Sequence, residues 1–454
     1  MLLKRQKFVM FGSLLERSGA GKLFIDLAMA LVGKFRGGAA KVSIVASAFF
    51  GSISGSQVAN VATTGILTIP LMKRGGYKPE YAGGVEAAAS TGGMFLPPIM
   101  GAVSFLIADF LQVDYVQVVF AAFLPALLYF IAVFIMVDLR AAQFSSVQIE
   151  GLQVPDFKKN IISKGHLLLP LAVLIFLLII IKWSPPMAAF WSIVSIPVIS
   201  YMRKETRMSF KQILEALQQG ARLCLVVVAA TACAGIVIGV VNMTGMGLRF
   251  SGLLIELSGG QLFPLLVLTM IASIIMGMGL PPVASYIVLA VLAAPAMIKL
   301  GVIPMAAHMF IFYYGTLSAI TPPVAIAAYA ASGIAQSDVM KTSFNAVRLA
   351  SVAFIIPFMF VYGPSLIFEG SALSVIVTAL TSIIGVFAIS VALEGYWKHH
   401  LHIISRCILF IAAISMMFVG ALTDIIGLSL IVLSLMYESR RKSSQEKDVI
   451  VDMK

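Results

Sequence analysis

The chain has 454 residues, of which 60% are hydrophobic and 11% charged, with a mean hydropathy of +1.01 and a formal net charge of +12. Soluble domains carry roughly a quarter charged residues, and several apolar runs here reach the ~17–25 residues that cross a bilayer, so a soluble globular domain is excluded and an all-α polytopic membrane protein is predicted. The basic residues sit in short clusters between apolar runs, as in cytoplasmic loops, which excludes reading the charge as a nucleic-acid footprint.

In chain order, Lys4, Arg5 and Lys7 precede an apolar run, 8–15, that is too short to span. Asp26 is a lone carboxylate on a mainly apolar helix and is expected to face a polar interface. The segment 41–73 holds two short apolar arms joined by Gly51-Ser-Ile-Ser-Gly-Ser, with basic residues at both ends, so it should enter from the cytoplasm and return there. A helix over 80–110 should break at 90–98, Ser-Thr-Gly-Gly-Met-Phe-Leu-Pro-Pro. Continuous spans are predicted at 115–137, 166–181, 187–201, 223–241, 339–362, 373–393, 403–420 and 425–436. Between them, 210–222 is amphipathic, with Ile213, Leu214 and Leu217 on one side, and fits an interfacial arm.

A second pair of arms, 262–299, turns around Gly277-Met-Gly-Leu-Pro-Pro, and its nearly uncharged flanks place its ends outside. A second helix, 304–331, should break at 315–323. Basic loops at 140–164, 203–211, 398–406 and 440–447 fall on one side, taken as cytoplasmic, which puts the C-terminus inside; the polar tail 438–454 is expected to be disordered. Cys224, Cys233 and Cys407 are odd in number and lie in apolar segments, so they read as core residues rather than disulfide or metal ligands.

The two arm pairs and the two breaks are copies of one pattern. Gly51–Asn60 placed over Met276–Ser285 also superimposes Pro70 on Pro295, Gly76 on Gly301, Pro79 on Pro304, Thr91 on Thr316, and Pro97-Pro98 on Pro322-Pro323. Small residues and prolines are common in membrane helices as packing or kinks, but their recurrence in register means that one irregular backbone is built twice. Opposite flanking charge makes the copies inverted repeats, each a re-entrant hairpin followed by a broken helix. Freed carbonyls and hydroxyls suit a small alkali cation, and half-helix N-termini suit a carboxylate, so cation-coupled anion uptake is the expected chemistry.

The resulting division is a first repeat at 1–138, N-terminally incomplete; a loop, scaffold helices and arm at 139–222; a second repeat at 223–365; extra transmembrane helices at 366–437; and a cytoplasmic tail at 438–454. Glu86 lies four residues before Ser90, and its repeat partner is Ile311, which sets it outside the symmetric core. A structural hydrogen-bonding role is expected for it, with coupling or gating as the alternative. His308, opposite Gly83, reads as a packing histidine, with a proton-linked role as the alternative. Arg222 and Arg249 sit near helix ends and should snorkel. Ile53 interrupts any G-x-S-x-G pattern, and H-E-x-x-H and P-loop motifs are absent, so no enzyme and no ATP hydrolysis are indicated.

The strings SGAG (18–21), GSISGSQVANVATTG (51–65), IPLMKRGGYKPEYAGGVEAAASTGG (69–93), MGMGLPP (276–282), VLAAPA (291–296) and LSAITPPVAIAAYAASGIA (317–335) resemble the DctM-like large membrane subunit of tripartite ATP-independent periplasmic (TRAP) transporters. The resemblance covers about 8–365 and is greatest to fused permeases that work with TAXI-type binding proteins. It implies an elevator-type fold in the bacterial inner membrane, driven by sodium with no other cofactor. It also implies an organic acid delivered by a periplasmic binding protein, and a small membrane subunit as partner or fused N-terminal helices. Carried over, one sodium site falls at Ser52, Ser54, Gly55 and Asn60 with Gly92 and Pro97. The other falls at Gly277, Gly279, Thr316, Ser318 and Thr321. Substrate falls near Ser56, Thr91 and Ser285, with Thr63 or Thr64. One departure stands out. About 75 apolar-rich residues precede Thr244 in the second repeat, whereas 17 precede Ser18, so the chain is expected to begin inside the first repeat. A binding-protein-independent sodium-coupled anion symporter and a truncated, non-transporting remnant are the alternatives.

Overall fold

The structure, a computed structural model, describes residues 2–143, 154–417 and 420–452. α1 (Leu2–Leu15) passes through a π-helical turn at Glu16–Ala20, where Gly19 takes a φ of 96°, into α2 (Gly21–Val32). α3 (Gly38–Ser54) and α4 (Gln57–Arg74) form the first hairpin. Gly55, at φ 64°, ends its first arm, and the Ser56 hydroxyl starts the second by accepting the Ala59 amide at 3.3 Å. Pro79 opens α5 (Pro79–Gly93); an irregular stretch, 94–102, leads to α6 (Val103–Leu111) and then α7 (Tyr115–Gln143). α8 (Phe157–Lys164), α9 (Leu169–Ile175) and α10 (Pro185–Ser200) come next.

α11 (Phe210–Thr244) turns at Gly245, φ 66°, into α12 (Met246–Leu257). The second hairpin is α13 (Leu262–Gly277) with a returning arm in two pieces, α14 (Pro282–Leu292) and α15 (Ala294–Lys299), parted at Ala293 just before Pro295. α16 (Pro304–Leu317) and α17 (Ile326–Ala335) flank the second break. α18 (Val339–Leu349), α19 (Ile356–Tyr362), α20 (Ala372–Glu394), α21 (Ile403–Met417) and α22 (Ala421–Asp452) complete the chain. The returning arms occupy 57–74 and 282–299, and the broken helices start at Pro79 and Pro304, the same 225-residue offset that relates the sequence motifs.

Among the described residues, three helical stretches are long and apolar enough to cross a membrane: Tyr115–Gln143, Phe157–Ile180 and Ala372–Glu394. Four expectations need correction. Of the three cysteines expected in the core, Cys224 is buried whereas Cys233 and Cys407 are exposed. The predicted span 339–362 is not continuous but bends by 68° between Val339–Leu349 and Ser351–Tyr362, because Pro357 supplies no amide to a helix running through 353. The predicted arm 210–222 is no separate element; it is the first third of α11. Gly220 there lets α1 cross, with Met10 Cα 3.2 Å from where a Cβ would stand. Leu214 is exposed, while Ala216 and Gly220 are buried. The tail expected to be disordered continues α22 as helix to Asp452. The part of the predicted loop at 144–153 lies outside the described residues.

Packing explains the arrangement. α5 is buried from Tyr81 to Gly93 and α16 from Met305 to Leu317, so neither needs an amphipathic pattern. α5 packs against α3 and α4 of its own half and against α17 and α18 of the other. A second apolar cluster joins α1, α2, α9, α10 and the start of α11, with Phe8, Phe11, Leu23, Leu174 and Ile196 at its heart. Asp26 does meet a polar partner, Lys164, at 3.2 Å. Large apolar side chains stand outward on α11 and α12, Met243 and Leu248 being 90% and 80% exposed, as a lipid-facing surface requires.

Candidate functional site

The first hairpin tip presses on the first break backbone to backbone. A Cβ on Gly93 would stand 2.6 Å from Gly51 Cα and 2.9 Å from the Ser47 carbonyl oxygen, and one on Gly55 would stand 2.5 Å from Gly101 Cα. The Met100 amide donates to the Ser52 carbonyl at 3.3 Å, and the Pro97–Pro98 bond is cis. Asn60 Nδ2 donates to the Ser47 carbonyl at 2.9 Å. Ser52, Ser54, Gly55, Asn60 and Pro97 are therefore gathered at one tip. Gly92 faces elsewhere, onto the Tyr129 ring, and its neighbour Gly93 makes the hairpin contact.

The second tip is built differently. The place where Gly277 lacks a side chain is ringed by oxygens: a Cβ there would lie 2.7 Å from Ser318 Oγ, 3.0 Å from the Gly315 carbonyl and 3.0 Å from Ser285 Oγ. Ser285 Oγ and Thr316 Oγ1 are buried without a protein hydrogen-bond partner, as are Thr269 Oγ1 and Ser273 Oγ further down α13. Buried hydroxyls are normally paired; at the space that only glycine leaves free, Ser318 Oγ is bonded to the Gly315 carbonyl at 2.7 Å and Ser285 Oγ is left open, an oxygen set that fits a small hard cation. Thr321 Oγ1 is spent on the Leu317 carbonyl at 2.9 Å, and Gly279, at φ 73°, lies at the rim.

The proposed substrate residues lie on several elements. Ser285 belongs to the second tip, Ser56 caps α4, and Thr91 donates to its own helix at the Ala87 carbonyl, 2.8 Å away. Thr63 turns outward to Glu16 Oε1 at 3.1 Å. Thr64 is taken up by Glu86. The two tips are joined by Gln57, which sequence reasoning missed: 2% exposed, it donates from Nε2 to the Thr316 carbonyl at 3.0 Å.

Glu86 is fully buried and forms no ion pair among the described residues; its carboxylate accepts five hydroxyls. They are Ser43 (2.6 Å), Ser47 (2.8 Å), Thr64 (2.5 Å), Thr68 (2.5 Å) and Ser90 (3.1 Å). Charge-assisted bonds of this kind are stronger than neutral ones, and here they tie both arms of the hairpin to α5. A signal was present in the sequence: 43 and 47, 64 and 68, and 86 and 90 are each i, i+4 polar pairs on apolar helices. In the second repeat those six positions are Leu268, Ala272, Leu289, Ala293, Ile311 and Gly315, so the cage is replaced as a unit. That half instead pairs Tyr286 OH with His308 Nδ1 at 2.7 Å, a packing contact like the one expected for His308.

An apolar, all-helical chain with this paired architecture belongs to the class of polytopic membrane proteins. Residues 2–375 match the family described as the tripartite ATP-independent periplasmic transporter, DctM component, and the chain belongs to that family, which is one of inner-membrane transport permeases and not of enzymes. It is similar to the C4-dicarboxylate TRAP transporter large permease protein DctM of Pseudomonas aeruginosa, 24% identical over 72% of this chain and 76% of that protein. It is also similar to the 2,3-diketo-L-gulonate TRAP transporter large permease protein YiaN of Escherichia coli, 23% identical over 79% and 84%. Higher identities are local: the matches to YgiK of Salmonella typhimurium (36%) and DctM of Vibrio cholerae (40%) span 21% and 20% of those proteins.

Proposed function

We propose that the chain is the permease subunit of a TRAP transporter that takes up an organic carboxylate by secondary active transport, coupled to a sodium gradient. The observation that carries the coupling is the oxygen-lined space at Gly277, where Ser285, Ser318 and the Gly315 carbonyl converge and Ser285 Oγ has no hydrogen-bond partner. Relatives named for C4-dicarboxylates and 2,3-diketo-L-gulonate support a carboxylate cargo. A periplasmic binding protein, of TAXI type, delivers it, and a small membrane subunit or fused helices complete the assembly. The two halves sit inverted in the inner membrane as re-entrant hairpins and broken helices, the C-terminus is cytoplasmic, and the hairpin-bearing helices move as an elevator against the cluster around α1, α2, α9 and α10. At the first tip, Ser52 and Asn60 offer the oxygens for a second sodium ion.

The test is uptake of radiolabelled organic acids into proteoliposomes containing this chain, with an imposed sodium gradient and the binding protein present or absent. Uptake that needs both supports the proposal. Uptake that needs sodium alone replaces it with the binding-protein-independent symporter.

A further inference from the structure

A cavity of about 580 Å³ lies far from the tips, where the turn at Gly76, the start of α5, the end of α7 and α18 meet. Four cationic side chains line it, Lys78, Arg140, Lys341 and Arg348, against one carboxylate, Glu80. Arg348 and Arg140 meet Glu394, at 3.2 and 4.0 Å, whereas Lys78 and Lys341 form no ion pair among the described residues. The 15-residue α5 begins here with Pro79 at its first turn and no side chain capping its amides, so a helix N-terminus adds partial positive charge. Tyr81, 7% exposed, lines the same cavity, and its hydroxyl is buried without a protein partner while its ring lies 5.6 Å from the Arg140 guanidinium. A buried hydroxyl without a partner, an uncapped helix start and excess cationic charge all call for the same thing, an anion.

We infer that this cavity binds a phosphate group. The volume exceeds what inorganic phosphate needs and suits a headgroup, and Phe344, a lining residue 61% exposed, offers an apolar edge beside it. A lipid phosphodiester at the anionic cytoplasmic leaflet and a free phosphate share the recognising chemistry. The site stands apart from the transport reading; only its assignment to the cytoplasmic leaflet rests on the proposed orientation. Because α5 and α18 belong to opposite halves, an occupant would hold the two together.

The experiment is thermal unfolding of the purified chain, first titrated with inorganic phosphate in detergent, then in nanodiscs of phosphatidylcholine with and without phosphatidylglycerol. Stabilisation by phosphate identifies a free anion as sufficient; stabilisation by phosphatidylglycerol alone identifies the lipid. The Lys78→Gln/Lys341→Gln pair, both exposed and without ion pairs, should lose most of the stabilisation. Tyr81→Phe should weaken binding about tenfold, as expected for one lost bond to a charged group, while leaving the unliganded protein no less stable. No response to either probe, or a response that all three substitutions leave unchanged, overturns the inference.

Discussion

Replacing Glu86 by isoleucine, the residue at the equivalent position of the second repeat, measures what the hydroxyl cage contributes. Thr64 and Thr68 would keep bonds to the Asn60 and Thr64 carbonyls, at 2.8 and 3.0 Å, and Ser47 would keep Thr64 at 3.0 Å. Ser43 and Ser90 have no other bond. Two buried hydroxyls stripped of their acceptor cost about 1–3 kcal/mol each, so the loss should be about 2–6 kcal/mol, drawn toward the lower end because a buried charge is relieved. Unfolding in mixed dodecylsulfate micelles, followed by circular dichroism, reads this directly. Adding Ser43→Ala and Ser90→Ala to Glu86→Ile should then recover at least half of the loss, since removing both partners of a buried bond is far cheaper than removing one. A single variant within about 0.5 kcal/mol of the parent, or a triple variant no more stable than the single, would refute the reasoning.

Other outcomes follow from distances already given. Gly277→Ala sets a methyl among Ser318 Oγ, Ser285 Oγ and the Gly315 carbonyl; it should abolish stabilisation by sodium while costing the sodium-free protein about 1–3 kcal/mol, both visible in melting curves with and without sodium chloride. Gly93→Ala forces the first hairpin off its break against backbone atoms that cannot yield, and uptake should fall more than tenfold even where protein is recovered. Gln57→Ala removes the bond to the Thr316 carbonyl, which still accepts the Ala319 amide at 3.2 Å, so stability should fall by only about 1 kcal/mol. For the inverted arrangement, Arg74→Cys and Lys299→Cys are made after Cys224, Cys233 and Cys407 are replaced. A membrane-impermeant thiol reagent on intact cells should label residue 299 and spare residue 74, and labelling of both would rule the arrangement out.

The breakers were the legible part of this chain. Pro79, Pro304 and Gly55 act through local dihedrals, so their effect can be read one residue at a time, and helix limits fall at them; the breaks expected at 90–98 and 315–323 run instead over 94–102 and 318–325, around the Pro-Pro pairs. Features set by contacts between distant segments were not legible in that way. Nothing near Gly220 in the sequence announces that Met10 will cross it. The substrate residues were drawn from motif proximity, yet adjacent positions on a helix face apart: Thr63 meets Glu16 and Thr64 meets Glu86. Ser285 was placed with the substrate residues, and only the fold shows that it shares the space at Gly277.

At its closest points the seam between the first hairpin and the first break has glycine on both sides, Gly51 facing Gly93 and Gly55 facing Gly101. Most packed interfaces tolerate drift because a gain of volume on one face can be answered by a loss on the other. Here both faces already carry the smallest residue there is, and no reciprocal change remains. Each of these four positions must stay glycine on its own account, whatever happens to its neighbours. Divergent members of the family should therefore remain alignable along this seam after the rest of their sequences have ceased to resemble one another.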